Sequence, residues 1–141
     1  MSPHSRVLLA ARAPYRTSGE LCVCVFSKLE VMQVNTSGEE SKSGIPPESA
    51  PALAKQIHSS CPHLSLVGVM TIGTPSPTER SNDFETLAAC RAAVAAACGV
   101  DSDALELSMG MSGDFEEAIV MGSSSVRVGS AIFGARDYSK A

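Results

Sequence analysis

LSLVGVMTI, residues 64–72, is the stretch that decides the fold, because its nearly unbroken apolar run is typical of a strand covered on both faces. Pro62 stops the helix that precedes it, and Gly73 opens the loop that comes after it. A buried strand between two helices indicates a parallel sheet.

The segments on either side repeat this unit. Strands are predicted at 29–35, at 105–110 and within 125–133, and helices from Pro46-Pro47 onward, at about 82–98 and at 112–121. The order is therefore β-loop-α four times, with the last helix short or missing. This α/β pattern fits either a small doubly wound sheet or a partial (β/α)8 barrel, and the pattern alone does not choose between them.

Composition narrows the function classes for this single domain of 141 residues. The net charge is −4, and no cluster of Lys and Arg interleaved with aromatic residues occurs, which argues against nucleic-acid binding. No apolar run approaches the roughly 18 residues of a membrane span. The five cysteines are irregularly spaced and are interpreted as small buried residues rather than disulfides or metal ligands.

Residues 1–20 lack a clear hydrophobic period, and residues 21–26 (LCVCVF) could form a strand. The whole segment 1–27 is predicted to be a disordered or aberrant leader ahead of a domain at 28–141. Its first 19 residues include Arg6, Arg12 and Arg16 but no acidic residue, which is typical of an organelle transit peptide. We expect a cytoplasmic protein, with a mitochondrial or plastid location as the alternative.

Two short segments carry the chemistry: LSMGMS at 107–112 and SVRVGS at 125–130. Each lies at the end of a predicted strand and offers small residues, hydroxyls and main-chain amides, which suit a phosphate group. Ordinary turn and cap chemistry is the alternative reading. Ser112 is predicted to cap the following helix, with its first-turn acids turned to solvent and the phosphate beside Ser108 and the amides of Gly129 and Ser130.

Four segments together resemble the pyridoxal 5'-phosphate (PLP) homeostasis protein family: LEVMQVNTSGEESKSG (29–44), LVGVMTIG (66–73), LSMGMSGDFEEAI (107–119) and SVRVGSAIFGARDY (125–138). The resemblance runs from about residue 28 to residue 140. It implies a barrel similar to that of alanine racemase, of which this chain holds the last four β/α units. It also implies a non-catalytic PLP-binding protein of vitamin B6 homeostasis.

The resemblance assigns a role to each candidate residue. Ser108 and the backbone of Met109 and Gly110 match one phosphate-binding segment, and Gly129 and Ser130 match the second. Arg127 matches the arginine near the pyridine nitrogen, where a guanidinium disfavours ring protonation and so favours holding PLP over carbanion chemistry. Asn35 either faces the same C-terminal opening of the barrel as these residues or simply starts a loop.

The chain departs from the family in lacking the lysine that forms the Schiff base with PLP at the end of the first barrel strand. Its lysines are Lys28, Lys42, Lys55 and Lys140, and its tyrosines are Tyr15 and Tyr138. We therefore expect a truncated, non-enzymatic chain that binds PLP non-covalently and self-associates through exposed barrel edges. The alternatives are a truncated isoform that binds no ligand and a racemase-like enzyme.

Overall fold

The structure is a computed structural model that describes residues 28–74 and 76–134. The predicted leader at 1–27 lies outside the described residues, as do Tyr138 and Lys140. The described residues all belong to the domain predicted at 28–141.

Four strands alternate with four helices along the described chain. The strands are β1 (Lys28–Gln33), β2 (Leu64–Met70), β3 (Glu106–Met111) and β4 (Ser125–Arg127). The helices are α1 (Ala50–Ser60), α2 (Pro77–Cys98), α3 (Phe115–Val120) and α4 (Ser130–Phe133). Short 3-10 turns at Pro47–Ser49 and Ser102–Ala104 precede α1 and β3.

Helix α2 is longer than predicted, because it begins at Pro77 rather than near residue 82. Proline suits the first turn of a helix, because backbone amides there have no acceptor within the helix and the missing amide hydrogen costs no hydrogen bond. The residues between Pro77 and Phe84 are mostly polar, so the apolar period that signals a helix starts one to two turns late. At the other end Gly99 has φ 68°, the left-handed conformation typical of a helix stop.

All four strands are parallel, and their order in the sheet is β1-β2-β3-β4. A doubly wound sheet reverses its strand order at a switch point, whereas a (β/α)8 barrel adds each strand beside the last. The consecutive order therefore selects the partial barrel of the two architectures left open by the sequence. Parallel pairing also brings the C-terminal ends of all four strands to the same edge.

The core lies between one face of the sheet and the helices. Met32, Val69 and Leu107 are register neighbours on β1, β2 and β3, and all three are buried. They pack in one cluster with buried residues of α2, namely Phe84, Leu87, Cys90, Val94 and Ala95. Burying this many aliphatic and aromatic side chains is the main stabilising term of such a fold.

The opposite face of the sheet is left open by the described residues. Val31 is 40% exposed, and Leu29 and Ile72 are also exposed. Parallel sheets are normally covered on both faces, and in a barrel this face is the interior. The described residues therefore form an open half of a barrel, with helices packed on its outer face.

Candidate functional site

The ends of β2, β3 and β4 are tied together by Arg127. Its Nη1 donates to the Ser108 hydroxyl at 2.7 Å and to the Ser108 carbonyl at 3.3 Å. Its Nη2 donates to the carbonyl of Thr71, just past the end of β2, at 2.7 Å. One planar guanidinium thus fixes the spacing of three strand ends, which a point charge such as an ammonium could not do.

This tie is well shielded from water. Ser108 is only 7% exposed, and Arg127 is half-buried. Desolvation lowers the pKa of Arg127, while the carboxylate of Asp114 acts in the opposite direction and raises it. Arginine stays charged at neutral pH even so, and the site therefore keeps a fixed positive charge at its centre.

Two main-chain amides of the next segment converge beside this tie. The amides of Gly129 and Ala131 both donate to the hydroxyl oxygen of Ser112, at 3.0 and 3.2 Å. Amides that share one acceptor are the usual arrangement for binding an oxygen of a phosphate. Here the Ser112 side chain provides that oxygen.

Ser112 therefore does not cap the helix that comes after it, and that prediction is wrong. Helix α3 begins only at Phe115, and the residue before it is Asp114. The Asp114 carboxylate accepts the amide of Met111 and so closes the β3–α3 turn. The Ser112 hydroxyl instead faces the segment after β4, where it accepts the amides of Gly129 and Ala131.

Met109 and Gly110 shape the end of β3 without presenting side chains to it. The Met109 side chain is fully buried in the core, and its carbonyl accepts the Ser123 hydroxyl at 2.8 Å. Gly110 has φ +96°, and a Cβ there would lie 2.6 Å from the Cβ of Ala118. Only the backbone of these two residues can therefore take part in a binding site.

Asn35 organises its own loop. Its Nδ2 donates to the carbonyl of Glu39 at 2.9 Å, and its Oδ1 accepts the amide of Gly38 at 3.1 Å. These contacts favour the loop-starting alternative for Asn35. The neighbouring Thr36 instead joins β1 to β2, because its hydroxyl lies 2.8 Å from that of Thr71.

Of the three acids predicted to face solvent, Asp114 is placed differently and Glu116 is exposed as predicted. Asp114 is not turned to solvent, since its side chain is only 9% exposed and its Oδ2 lies 3.3 Å from Nε of Arg80 on α2. Glu117 is partly exposed, with Oε2 3.9 Å from Arg80, and Glu116 is exposed. The carboxylate nearest the candidate site is therefore charge-paired.

The lysines within the described ranges do not cluster at this site. Lys28 begins β1 and pairs with Glu30, and Lys55 is exposed on α1. Lys42, 17% exposed, donates from Nζ to the carbonyl of Gly73 at 2.7 Å and to Glu39.

In residues 28–74 and 76–134, no three His, Cys, Asp or Glu side chains are grouped to hold a metal ion. None of the helices described here is both long enough and apolar enough for a membrane crossing.

Sequence reasoning did not identify three of the contributors: the Thr71 carbonyl, the Ser112 hydroxyl as an amide acceptor, and Arg80. Thr71 is the polar residue at the end of the apolar run 64–72, which is a signal that could have pointed to it. Arg80 and Asp114 are 34 positions apart, and no local pattern connects them. Their pairing depends on how α2 and α3 pack on the sheet.

Comparison with known proteins identifies related sequences. The family described as alanine racemase, N-terminal domain, matches residues 29–137. The chain is 47% identical over 122 residues to the Homo sapiens pyridoxal phosphate homeostasis protein, an alignment that covers 80% of this chain and 42% of that protein. The chain thus spans less than half the length of this curated relative.

Solved structures show the same fold. PipY of Synechococcus elongatus superposes with a TM-score of 0.65 without PLP and 0.57 with PLP bound, at 26% identity over 77% of this chain and 50% of PipY. Alanine racemase from Corynebacterium glutamicum gives a TM-score of 0.59 at 17% identity, covering 77% of this chain and 30% of the racemase, and supports the fold alone. The predicted family resemblance and the predicted partial barrel of parallel strands are both confirmed.

Proposed function

Because this chain belongs to the alanine racemase N-terminal domain family, we propose that it binds PLP where β2, β3 and β4 end. Its role would be in intracellular PLP homeostasis rather than in catalysis. The observation that carries the proposal is the convergence of the Gly129 and Ala131 amides on one oxygen, beside the Ser108–Arg127 pair. The homeostasis relatives and the PLP-bound PipY structure support the choice of ligand.

The residues present fit a phosphate ester. The amides of 129–131 and the hydroxyls of Ser108 and Ser130 supply the donors, whereas Arg127, which the family resemblance assigns to the ring nitrogen, acts on the phosphate only through its charge. A phosphate that replaced the Ser112 hydroxyl as the acceptor of the Gly129 and Ala131 amides would leave their hydrogen bonds satisfied. The backbone of Met109 and Gly110 would set the position of Ser108 relative to these donors.

Arg127 also bears on why the site would hold PLP rather than use it. Bound PLP supplies an electron-accepting ring to amino-acid chemistry, and that capacity is greatest when the ring nitrogen is protonated. Family resemblance assigns Arg127 to that nitrogen, where a permanently charged donor disfavours protonation. The three hydrogen bonds to Ser108 and Thr71 restrain the guanidinium from moving aside.

Binding is tested by titrating the whole chain with PLP and with pyridoxal, which lacks the phosphate, and following the absorbance of the ligand. We expect PLP to bind at least about tenfold more tightly, because charge-assisted hydrogen bonds to phosphate are the strong ones. Ser108→Ala should weaken PLP binding about fivefold, and Ser59→Ala, at the exposed end of α1, is the matched control. Equal affinity for both ligands, or no retention of PLP after gel filtration, would refute the proposal.

The proposed binding is non-covalent. Lys28 lies at the N-terminal end of β1, away from the strand ends that carry the site, and Lys55 is on the outer helix α1. Lys42 lies at the same edge of the sheet as the site, but its Nζ is held by the carbonyl of Gly73 and the carboxylate of Glu39. Borohydride reduction of the PLP complex, followed by intact mass measurement, should show no added mass. An adduct would show that a lysine of this chain forms a covalent bond to PLP and would contradict this part of the proposal.

An amino-acid racemase is the alternative that the family leaves open, since the fold alone does not fix the activity. The proposed non-catalytic role predicts no racemisation of L- or D-alanine above the rate of free PLP. Activity above that rate, lost in Ser108→Ala, would favour the racemase instead.

The open face of the sheet supports self-association as a further part of the proposal. Among the described residues the outer edges of β1 and β4 have no partner strand, apart from an isolated bridge between Val34 and Ile45 just past β1, and a barrel of this kind closes with eight strands. Two copies of the four-stranded sheet would supply that number. Sedimentation should show a dimer that Val31→Lys dissociates, and a monomer at all concentrations would contradict it.

The cellular setting forms the last part of the proposal. We propose a cytoplasmic protein with PLP as its small-molecule partner and with neither nucleic acid nor membrane among its partners, a mitochondrial or plastid location being the alternative. Imaging of a chain tagged at its C-terminus separates these locations. Co-localisation with an organelle marker would overturn the cytoplasmic assignment.

A further inference from the structure

Arg80 and Asp114 form an ion pair that supplies no hydrogen-bond donor to the proposed phosphate site. Nε of Arg80 lies 3.3 Å from Oδ2 of Asp114, and the two side chains are 13% and 9% exposed. Nη1 of Arg80 also donates to the carbonyl of Gly113 at 3.4 Å. Helix α2 thereby holds the β3–α3 turn at Gly113 and Asp114.

That turn carries a charge of the wrong sign for an anion site. Asp114 lies two residues after Ser112, whose hydroxyl meets the amides of Gly129 and Ala131. It is also close enough to Arg127 to raise the pKa of that guanidinium. A phosphate dianion bound to the amides of 129–131 beside Ser108 would feel the Asp114 carboxylate in a poorly hydrated setting, where like-charge repulsion is strong.

We propose that Arg80 is a positioning residue for the phosphate site, which cancels the charge of Asp114 while Asp114 holds the β3–α3 turn closed. The Asp114 side chain is part of the turn, because it accepts the amide of Met111. Arg80 therefore allows the Asp114 carboxylate, which is part of the turn, to lie close to a bound phosphate. This inference rests on the proposed PLP binding and deepens it.

The test uses Arg80→Met, which keeps the side-chain length but removes the charge, Asp114→Asn, and the double variant. Arg91→Met is the matched control, because Arg91 lies on the same helix and pairs with Asp103 at 3.5 Å, far from the strand ends. Affinities for PLP and for pyridoxal are measured for every variant, and circular dichroism reports whether each one folds.

Arg80→Met should weaken PLP binding about tenfold, because it leaves the nearby carboxylate uncompensated. Its affinity for pyridoxal should be unchanged, and the double variant should return to within about threefold of the parent for PLP. Arg91→Met should match the parent for both ligands.

Equal weakening for PLP and pyridoxal in Arg80→Met, or no recovery in the double variant, would reduce Arg80 to a structural residue and overturn the inference. If Arg80→Met fails to fold, Asp114→Asn alone decides, since the inference predicts PLP binding as tight as the parent or tighter. Weaker PLP binding in Asp114→Asn would overturn it. A parent chain that does not bind PLP would instead refute the proposed function.

Discussion

Replacing Gly110 by alanine should destabilise the fold through a contact that can be read from the structure. The new Cβ would lie 2.6 Å from the Cβ of Ala118 and 3.1 Å from the Cα of Phe115, so α3 would have to shift off β3. Overpacking of this kind costs about 1–3 kcal/mol. The backbone at φ +96° adds about 1 kcal/mol of net strain, after subtracting the stabilisation that alanine gives by lowering the conformational entropy of the unfolded chain.

Gly122→Ala isolates the strain, because Gly122 has φ +92° but nothing within 4 Å of the added Cβ. Urea unfolding followed by circular dichroism should place the Gly110→Ala midpoint about 1–2 M below the parent, and that of Gly122→Ala about 0.5 M below it. Equal shifts in the two variants would refute the argument that α3 packs against the backbone of Gly110.

Three other substitutions test separate contacts. Arg127→Met should lower the free energy of unfolding by about 2 kcal/mol, because it removes three hydrogen bonds from a half-buried charged donor, and Arg127→Lys should recover only part of this in urea unfolding. Ser123→Ala should cost about 1 kcal/mol by the same assay, because the hydroxyl lies 3.1, 2.8 and 3.0 Å from the carbonyls of Leu107, Met109 and Ser125, whereas Ser59→Ala should change little. Burial raises the pKa of the Cys90 thiol above its ordinary value of 9.0, so the thiol loses its proton at lower pH in the unfolded chain than in the folded one. The free energy of unfolding should therefore fall as pH rises past 9.0 in the parent and should fall less in Cys90→Ala. Parallel pH profiles of the two proteins would contradict this.

The strands were the most predictable elements because their burial shows in the local sequence. The run 64–72 predicts β2, observed at Leu64–Met70, and the prediction 105–110 matches β3 at Glu106–Met111 to within one residue. The apolar run has a second face that the described residues do not cover, since Ile72 is exposed. The sequence of β2 therefore suits a closed barrel.

The strand order and the site contacts could not be derived from periodicity. A β-loop-α repeat is common to doubly wound sheets and barrels, and only the observed pairing of each strand with the next separates them. Ser112 has the residue type of a helix cap, but Asp114 is the residue that precedes α3. The Arg80 guanidinium and the Met111 amide hold the Asp114 side chain in that position. Such placement is settled by tertiary contacts.

The most direct test of the proposed PLP site is a crystal structure of the chain grown with PLP. We expect the phosphate oxygens within hydrogen-bonding reach of the amides of 129–131, with Ser108 alongside and the Ser112 hydroxyl displaced from those amides. Density for the ligand at the opposite end of the strands, in the cavity of about 410 Å³ lined by His58, Cys61 and Leu64, would contradict this site, as would a structure with no ligand at either end.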